Sequence, residues 1–422
     1  MRHMTRNLRI DGDRLWDAIM EMARIAATEK GGNCRLALTD DDREGRDLFV
    51  RWCEAAGMTC TVDRMGNIFA RRPGMNPQAL PVATGSHLDT QPTGGKFDGV
   101  YGVLAGLEVV RTLNDAQIET EAPIEVICWT NEEGARFAPA MIGSAVFSGN
   151  FSLEYGHSRT DVEGNTLGGE LERIGYLGDE EPGGHQLGAH FEAHIEQGPI
   201  LEATGTTIGV VTGVQGTHWF DVRLAGMEAH AGPTPMEMRH DAVVAAAALI
   251  GEVNGLALGE APHGRATCKI DSCMPSGTRN TIAGEVALTV DLRHPDKAAY
   301  ERMARSLDEV AARTASATGV AIEVEKIWSS PPIEFNSGCI DAVRRAASLA
   351  GCDHMDMVSG AGHDSVYVSR VAPTAMIFVP CEGGISHNET EHATPGDLAA
   401  GCNVLLHAML DRAGPVTRDG QP

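Results

Sequence analysis

The stretch Gly85–Glu108, GSHLDTQPTGGKFDGVYGVLAGLE, decides how the chain is read. Just before it, Leu80-Pro-Val-Ala-Thr is short and apolar, which predicts a buried strand ending at Gly85. His87 and Asp89 follow two apart, so extended backbone turns both to one side. Asp98 comes next, across a loop rich in Gly and Pro, and an amphipathic helix is expected from near Gly99 to about Thr112. A His and an Asp held at a strand end and a helix start begin a divalent-metal site. Asp89 is placed to fix the tautomer of that His. A capped turn would also favour Asp at a helix start, so the stretch needs partners from elsewhere in the chain.

At 422 residues two domains are expected, and 42% hydrophobic with 22% charged residues is ordinary for a soluble globular protein. No apolar window of about 20 residues is read, so no membrane-spanning segment is expected. The N-terminal MRHMTRNLRIDGDRLWD lacks the apolar core of a signal peptide, which makes a cytoplasmic location the expectation. A net charge of −24 argues against a nucleic-acid partner. The ten Cys include no CxxC pair and are expected to be reduced, which leaves the sixteen His as the more telling pool of ligands.

Upstream, a helix opens behind Asp11 and a second covers about Asp41–Ala56, with the loop KGGNCRLALTD between them suited to the surface near a substrate. Thr59–Val62 and Asn67–Arg71 read as a hairpin. Downstream of the opening stretch, Ile124–Thr130 completes a βαβ unit and hence a parallel sheet. Glu132 and Glu133 lie at the carboxyl end of that strand, where open α/β sheets place their sites. Extended backbone would turn them opposite ways, one to a metal and one to the substrate as a base. His190, Glu192, His194 and Glu196 alternate with apolar residues and so share a strand face, as a plain polar edge strand would also do.

From about Val214 the order becomes strand His218–Leu224, helix Asp241–Asn254, strands Ala266–Ser272 and Glu285–Leu292, helix Pro295–Ala317 and strand Ala321–Trp328. That βαββαβ order predicts a small ferredoxin-like domain inserted as a lid, with Gly213 and Ser329-Ser-Pro-Pro as hinges. The expected division is 1–213, 214–329 and 330–422, the outer two segments forming an α/β, mostly parallel-sheet domain. Within the insert, His230 lies in a loop, Asn280 between strands, and Arg293 at a strand end. Arg is the side chain best shaped for two-point contact with a carboxylate. The chain then resumes with helix Asn336–Ala350, the loop SGAGHDS, strand Thr374–Val379, His387 in a Gly-rich loop, and a last helix from Pro395.

Four strand ends thus carry His87 and Asp98, Glu132 and Glu133, His194, and His387. Their nitrogen and oxygen donors suit zinc or manganese, with cobalt or nickel possible on the same ligands. One Asp can bridge two ions.

The motifs GSHLDTQPTGGKFDG, TNEEGARF, HIEQGP, HAGPTPM, RNTIAG, SGAGHDS and GISHNE spread over most of the chain. Together they resemble the hydantoinase/carbamoylase branch of the di-metal aminoacylase and carboxypeptidase superfamily. The resemblance implies a di-metal hydrolase cleaving the ureido C–N bond of N-carbamoyl-L-amino acids or N-carbamoyl-β-alanine. It gives Asp98 as the bridge, His87 and His194 on one ion, Glu133 and His387 on the other. Glu132 is then the general base, and Asp89 orients His87. Gln197, His230, Asn280, Arg293 and the backbone at Gly362 meet a substrate bearing a carboxylate and a ureido group. It further implies a homodimer through the lid, with His230 reaching the partner's site. Pro233 departs from the Thr many members have. An allantoate amidohydrolase, an N-acyl-amino acid or dipeptide hydrolase, and a non-catalytic metal or ligand-binding protein remain alternatives.

Overall fold

Residues 7–416 are described by a computed structural model. The first part of the N-terminal stretch read for a signal, and the outer ends of the expected domains, lie outside them.

The chain divides into two compact units, one made of the described residues up to Thr212 with those from Phe335 onward, the other of Gly213–Glu334. The first unit is built on a large sheet. At its centre Ile124–Trp129, Val82–His87, Ala189–Ile195 and Thr374–Val379 lie side by side and parallel. Every residue of these four strands is buried, as expected for parallel strands covered on both faces. Their carboxyl ends therefore point to one edge of the sheet.

The sheet is mixed rather than mostly parallel, which corrects the sequence expectation. The hairpin Thr59–Val62/Ile68–Arg72 adds antiparallel strands on one flank. On the other, Ile208–Val214 runs antiparallel to Thr374–Val379 and pairs with Ile333–Glu334. The opening strand is also shifted. It spans Val82–His87, so His87 ends the strand, while Leu80 is exposed.

The helix after it runs Val100–Asp115 and is buried along most of its length. Asp11 and Thr39 cap the first two helices, each accepting an N–H from the first turn. The loop expected at the surface is instead largely interior: Asn33, Arg35, Ala37 and Leu38 are buried. Arg35 donates to the carbonyls of Leu88, Ile25 and Met22. Its own N–H goes to the Thr90 hydroxyl, so the loop braces the chain around His87 and Asp89.

In the second unit a four-stranded antiparallel sheet has the order Arg265–Met274, Glu285–His294, Gly216–Ala225, Ala321–Ser330. The helices Ala242–Gly259 and Lys297–Thr318 pack on it through Leu249, Val253, Met303, Leu307 and Val310, against Phe220, Val222, Leu224, Leu288 and Val290. Chain order is strand, helix, strand, strand, helix, strand.

Ala242–Gly259 is long and apolar enough to cross a membrane by length and composition, a window the sequence reading lacked. Its composition has a local cause on one side: Ala242, Ala245, Ala246, Leu249, Val253 and Ala257 recur at helical spacing and are buried in the unit.

Candidate metal centre

His87 and His194 lie at the carboxyl ends of strands, and Asp98, Glu133 and His387 lie on the loops that follow strands. His87 closes its strand, and the chain turns through Asp98 into the Val100 helix. Gly99 makes that turn with φ of 68°, and a Cβ there would lie 2.3 Å from the His87 ring. Only Gly lets the ring sit against the backbone at this point. Glu132 and Glu133 follow Asn131, whose φ of 55° bends the chain off the strand. The pair therefore lies on a turn, and not on the extended backbone expected from sequence. His387 also has positive φ, 53°.

The side chains converge on Asp98. Its Oδ1 lies 3.1 Å from His194 Nε2 and 3.7 Å from His87 Nε2. Its Oδ2 lies 3.3 Å from His387 Nε2, which is 3.4 Å from Glu133 Oε2. Two groups able to hold a cation result, His87–Asp98–His194 and Asp98–Glu133–His387, and they share the Asp98 carboxylate. Glu132 belongs to neither, with its Oε2 3.4 Å from His87 Nε2. Both imidazoles of the first group present Nε2 because Nδ1 is committed: His87 to the Asp89 carbonyl at 2.8 Å, His194 to the Ile195 carbonyl at 2.9 Å.

Asp89 thus corrects the sequence reading. Its main-chain oxygen, not its carboxylate, meets the His87 ring. The carboxylate accepts the N–H groups of Glu132 and Glu133 at 3.3 and 3.2 Å and holds their turn in place.

The charge balance fits cations. Burial, then the charges of Asp364 and Glu133, push the Glu132 carboxyl well above its usual range. Burial and the Asp98 charge do the same to Glu133. Burial also raises Asp98, but hydrogen bonds with His194 and His387 reverse this and hold it well below the usual value. Burial disfavours the His194 imidazolium, yet the Asp98 contact raises it to about 9. Carboxylates gathered out of water need positive partners. An all N/O donor set whose central carboxylate offers one oxygen to each group fits two divalent ions.

Of the strand residues expected to share a face, only His194 reaches these two groups. Glu196 caps the next helix by accepting Ile200 and Leu201 N–H. His190 is fully buried beside Trp129, and neither ring nitrogen has a hydrogen-bond partner among the described residues. Glu192 lies near His194 and His363 in a third cluster. Its oxygens are already taken by the Ser86 and Ser365 hydroxyls and the Ser365 N–H, and His363 Nε2 by Ser359. That cluster is a hydrogen-bonded support behind His194 and not a further cation site.

Gln197, expected to meet substrate, donates to Asp98 Oδ2 at 2.8 Å and to the Ser386 hydroxyl. Gln91, missed in the sequence, donates to Glu133 Oε2 at 2.7 Å. Gly362 lies two residues before Asp364, whose carboxylate accepts the Ser144 hydroxyl.

In the second unit the structure brings His230 and Asn280 together. Ala229–His230 pairs with Thr281–Ile282, and the Ala231 N–H reaches the Asn280 carbonyl. Arg293 lies inside the strand Glu285–His294 and is forked onto Asp291. Asp291 also accepts the Trp219 indole N–H.

The chain matches the model of peptidase family M20/M25/M40 over residues 83–411. It is 51% identical over 407 residues to the N-carbamoyl-L-amino-acid amidohydrolase of Rhizobium meliloti, covering 96% of this chain and 98% of that protein. It is 35% identical over 411 residues to the N-carbamoyl-L-amino acid amidohydrolase of Geobacillus stearothermophilus, at 96% and 99% coverage. Among solved structures, a hydantoinase/carbamoylase family amidase from Burkholderia multivorans is similar with a TM-score of 0.94 at 58% identity, covering 96% of this chain and 98% of that one. The chain belongs to peptidase family M20/M25/M40, in its hydantoinase/carbamoylase branch.

Proposed function

We propose that the protein is a metal-dependent amidohydrolase that cleaves N-carbamoyl-L-amino acids into amino acid, carbon dioxide and ammonia. The observation carrying this is the Asp98 carboxylate, whose two oxygens face two separate imidazole groups while Glu132 stands beside them outside both. The likeness to proteins named for this reaction supports the choice of substrate.

His87, Asp98 and His194 would hold one divalent ion, and Asp98, Glu133 and His387 the other, zinc and manganese being the first choices. When bound, such ions polarise the ureido carbonyl and acidify water, a single zinc bringing its pKa to about 7. Glu132 Oε2 then takes the proton from the attacking water and passes it to the leaving nitrogen. Burial, then the charges of Asp364 and Glu133, raise its carboxyl above the usual range, which favours its taking up the proton of the water. The C–N bond breaks, and the carbamate released splits into carbon dioxide and ammonia.

Arg293 and Asn280 anchor the substrate carboxylate, and His230 steadies the oxyanion. The second unit serves as a ferredoxin-like lid and dimerisation domain. Its strand order and helix placement support the ferredoxin-like architecture in that reading. The exposed Val243, Val244 and Leu258 on Ala242–Gly259, and Ile270 and Met274 on the edge strand, support the dimerisation.

The test is turnover of N-carbamoyl-L-methionine, N-carbamoyl-β-alanine, allantoate and N-acetyl-L-methionine with added Mn²⁺ or Zn²⁺, read as ammonia from the first three and as free methionine from the N-acetyl compound. Turnover led by the first compound is the expected result. Turnover confined to the N-acetyl compound or to allantoate would overturn the choice of substrate.

A further inference from the structure

Glu391 lies far along the chain from the Asp98 turn, yet its buried carboxylate is spent on it. Oε1 accepts the N–H groups of both Phe97 and Asp98, each at 3.0 Å. Oε2 meets the hydroxyl of Ser386 at 2.8 Å. Ser386 precedes His387, and the same hydroxyl is 3.0 Å from Asp98 Oδ2. One side chain therefore ties the loop that carries the shared carboxylate to the loop that carries His387.

Two local features give the tie work to do. His387 adopts a backbone conformation that L residues rarely take, and its ring is half exposed, so packing alone does not fix it. On the other side, Gly95 passes so close that a Cβ there would overlap the Glu391 carboxylate, so a side chain at this position would displace it. Charge adds a further reason. Acceptance of two main-chain N–H groups draws the Asp98 turn toward Glu391, and it fixes the direction in which Oδ2 leaves that turn.

We propose that Glu391 is the positioning residue that assembles the second cation group, by locking Asp98 and His387 into one frame through Phe97, Asp98 and Ser386. This rests on the reading of Asp98, Glu133 and His387 as cation ligands. Glu391 holds Asp98, which both groups share, but reaches an imidazole only through Ser386 beside His387, so its loss should weaken the second ion most and the first less. Partners that orient metal ligands are typically worth 10–100-fold in affinity.

The experiment is calorimetric titration of the metal-depleted full-length protein with Mn²⁺ alone. Wild type should take up two ions. Glu391→Ala should bind one ion 10–100-fold more weakly and the other with a smaller loss, since Asp98 serves both. Glu391→Gln keeps an acceptor for the two N–H groups and should recover most of that loss. Ser386→Ala, which removes the other half of the tie with little change in volume, should weaken the same ion. It also decides the matter if Glu391→Ala does not fold. Unchanged affinity for both ions in Ser386→Ala or Glu391→Ala overturns the proposal. Failure of wild type to bind two ions would instead overturn the reading of the cation groups themselves.

Discussion

His87 and His194 are 2% and 1% exposed, whereas His230 and Asn280 of the second unit lie in the open. The first pair is held by carbonyls and faces a carboxylate brought from another loop. His230 is held by its own neighbours, Gly232 donating to its ring and Thr234 to its carbonyl. Arg293 rests on Asp291, two residues back on the same strand. One region is preorganised at the cost of burying charge. The other leaves its polar groups closer to water and holds them through near neighbours in the sequence. Substitutions in the first should therefore strike the chemical step, and those in the second should strike binding.

The largest effect should come from removing metal. Chelation should abolish ammonia release, and adding Mn²⁺ or Zn²⁺ should restore it; activity that survives full depletion would erase the distinction between the regions. Next is Glu132→Gln, expected to keep both ions while kcat falls about 10²–10⁴-fold, the usual weight of general acid–base catalysis. Near-full kcat would remove Glu132 from that role. Arg293→Ala should raise KM about 10–100-fold with little change in kcat, since a charge-assisted hydrogen bond contributes about 1.5–3 kcal/mol. A loss confined to kcat would mean that the second unit takes part in the chemistry.

The smallest effect concerns stability. Burial lowers the His190 imidazole from its usual value to about 3. Below about pH 6.5 the unfolded chain takes up this proton and the folded one does not, so stability is full above that pH and is lost as pH falls toward 3. By pH 5 this amounts to about 2 kcal/mol. His190→Phe should therefore lose about that much less than wild type between pH 7 and pH 5 in urea unfolding. Parallel losses in the two proteins would show that His190 is protonated in the fold.

The candidate ligands were legible from sequence as residues at or beyond strand ends, and the part proposed for each came from the family resemblance. What holds the ligands was not legible. Arg35, Gln91 and Glu391 act on residues far away in the chain, and no local pattern announces such a contact. The part played by Asp89 was misread for a related reason: spacing says which residue lies behind His87, but not whether its carbonyl or its carboxylate faces the ring. The hairpin on one flank of the main sheet was read, but the antiparallel strands on the other were missed, because Ile208–Val214 is a short run and Ile333–Glu334 only two residues beside the expected hinges. The βαββαβ order of the second unit, by contrast, was readable from turn signals alone.

Anomalous diffraction from crystals grown with Mn²⁺ tests the pairing of two groups on Asp98 most directly. The expected map has two peaks about 3.5–4 Å apart, one beside each Asp98 oxygen, with Glu132 bound to neither. A single peak, or peaks away from Asp98, would contradict it.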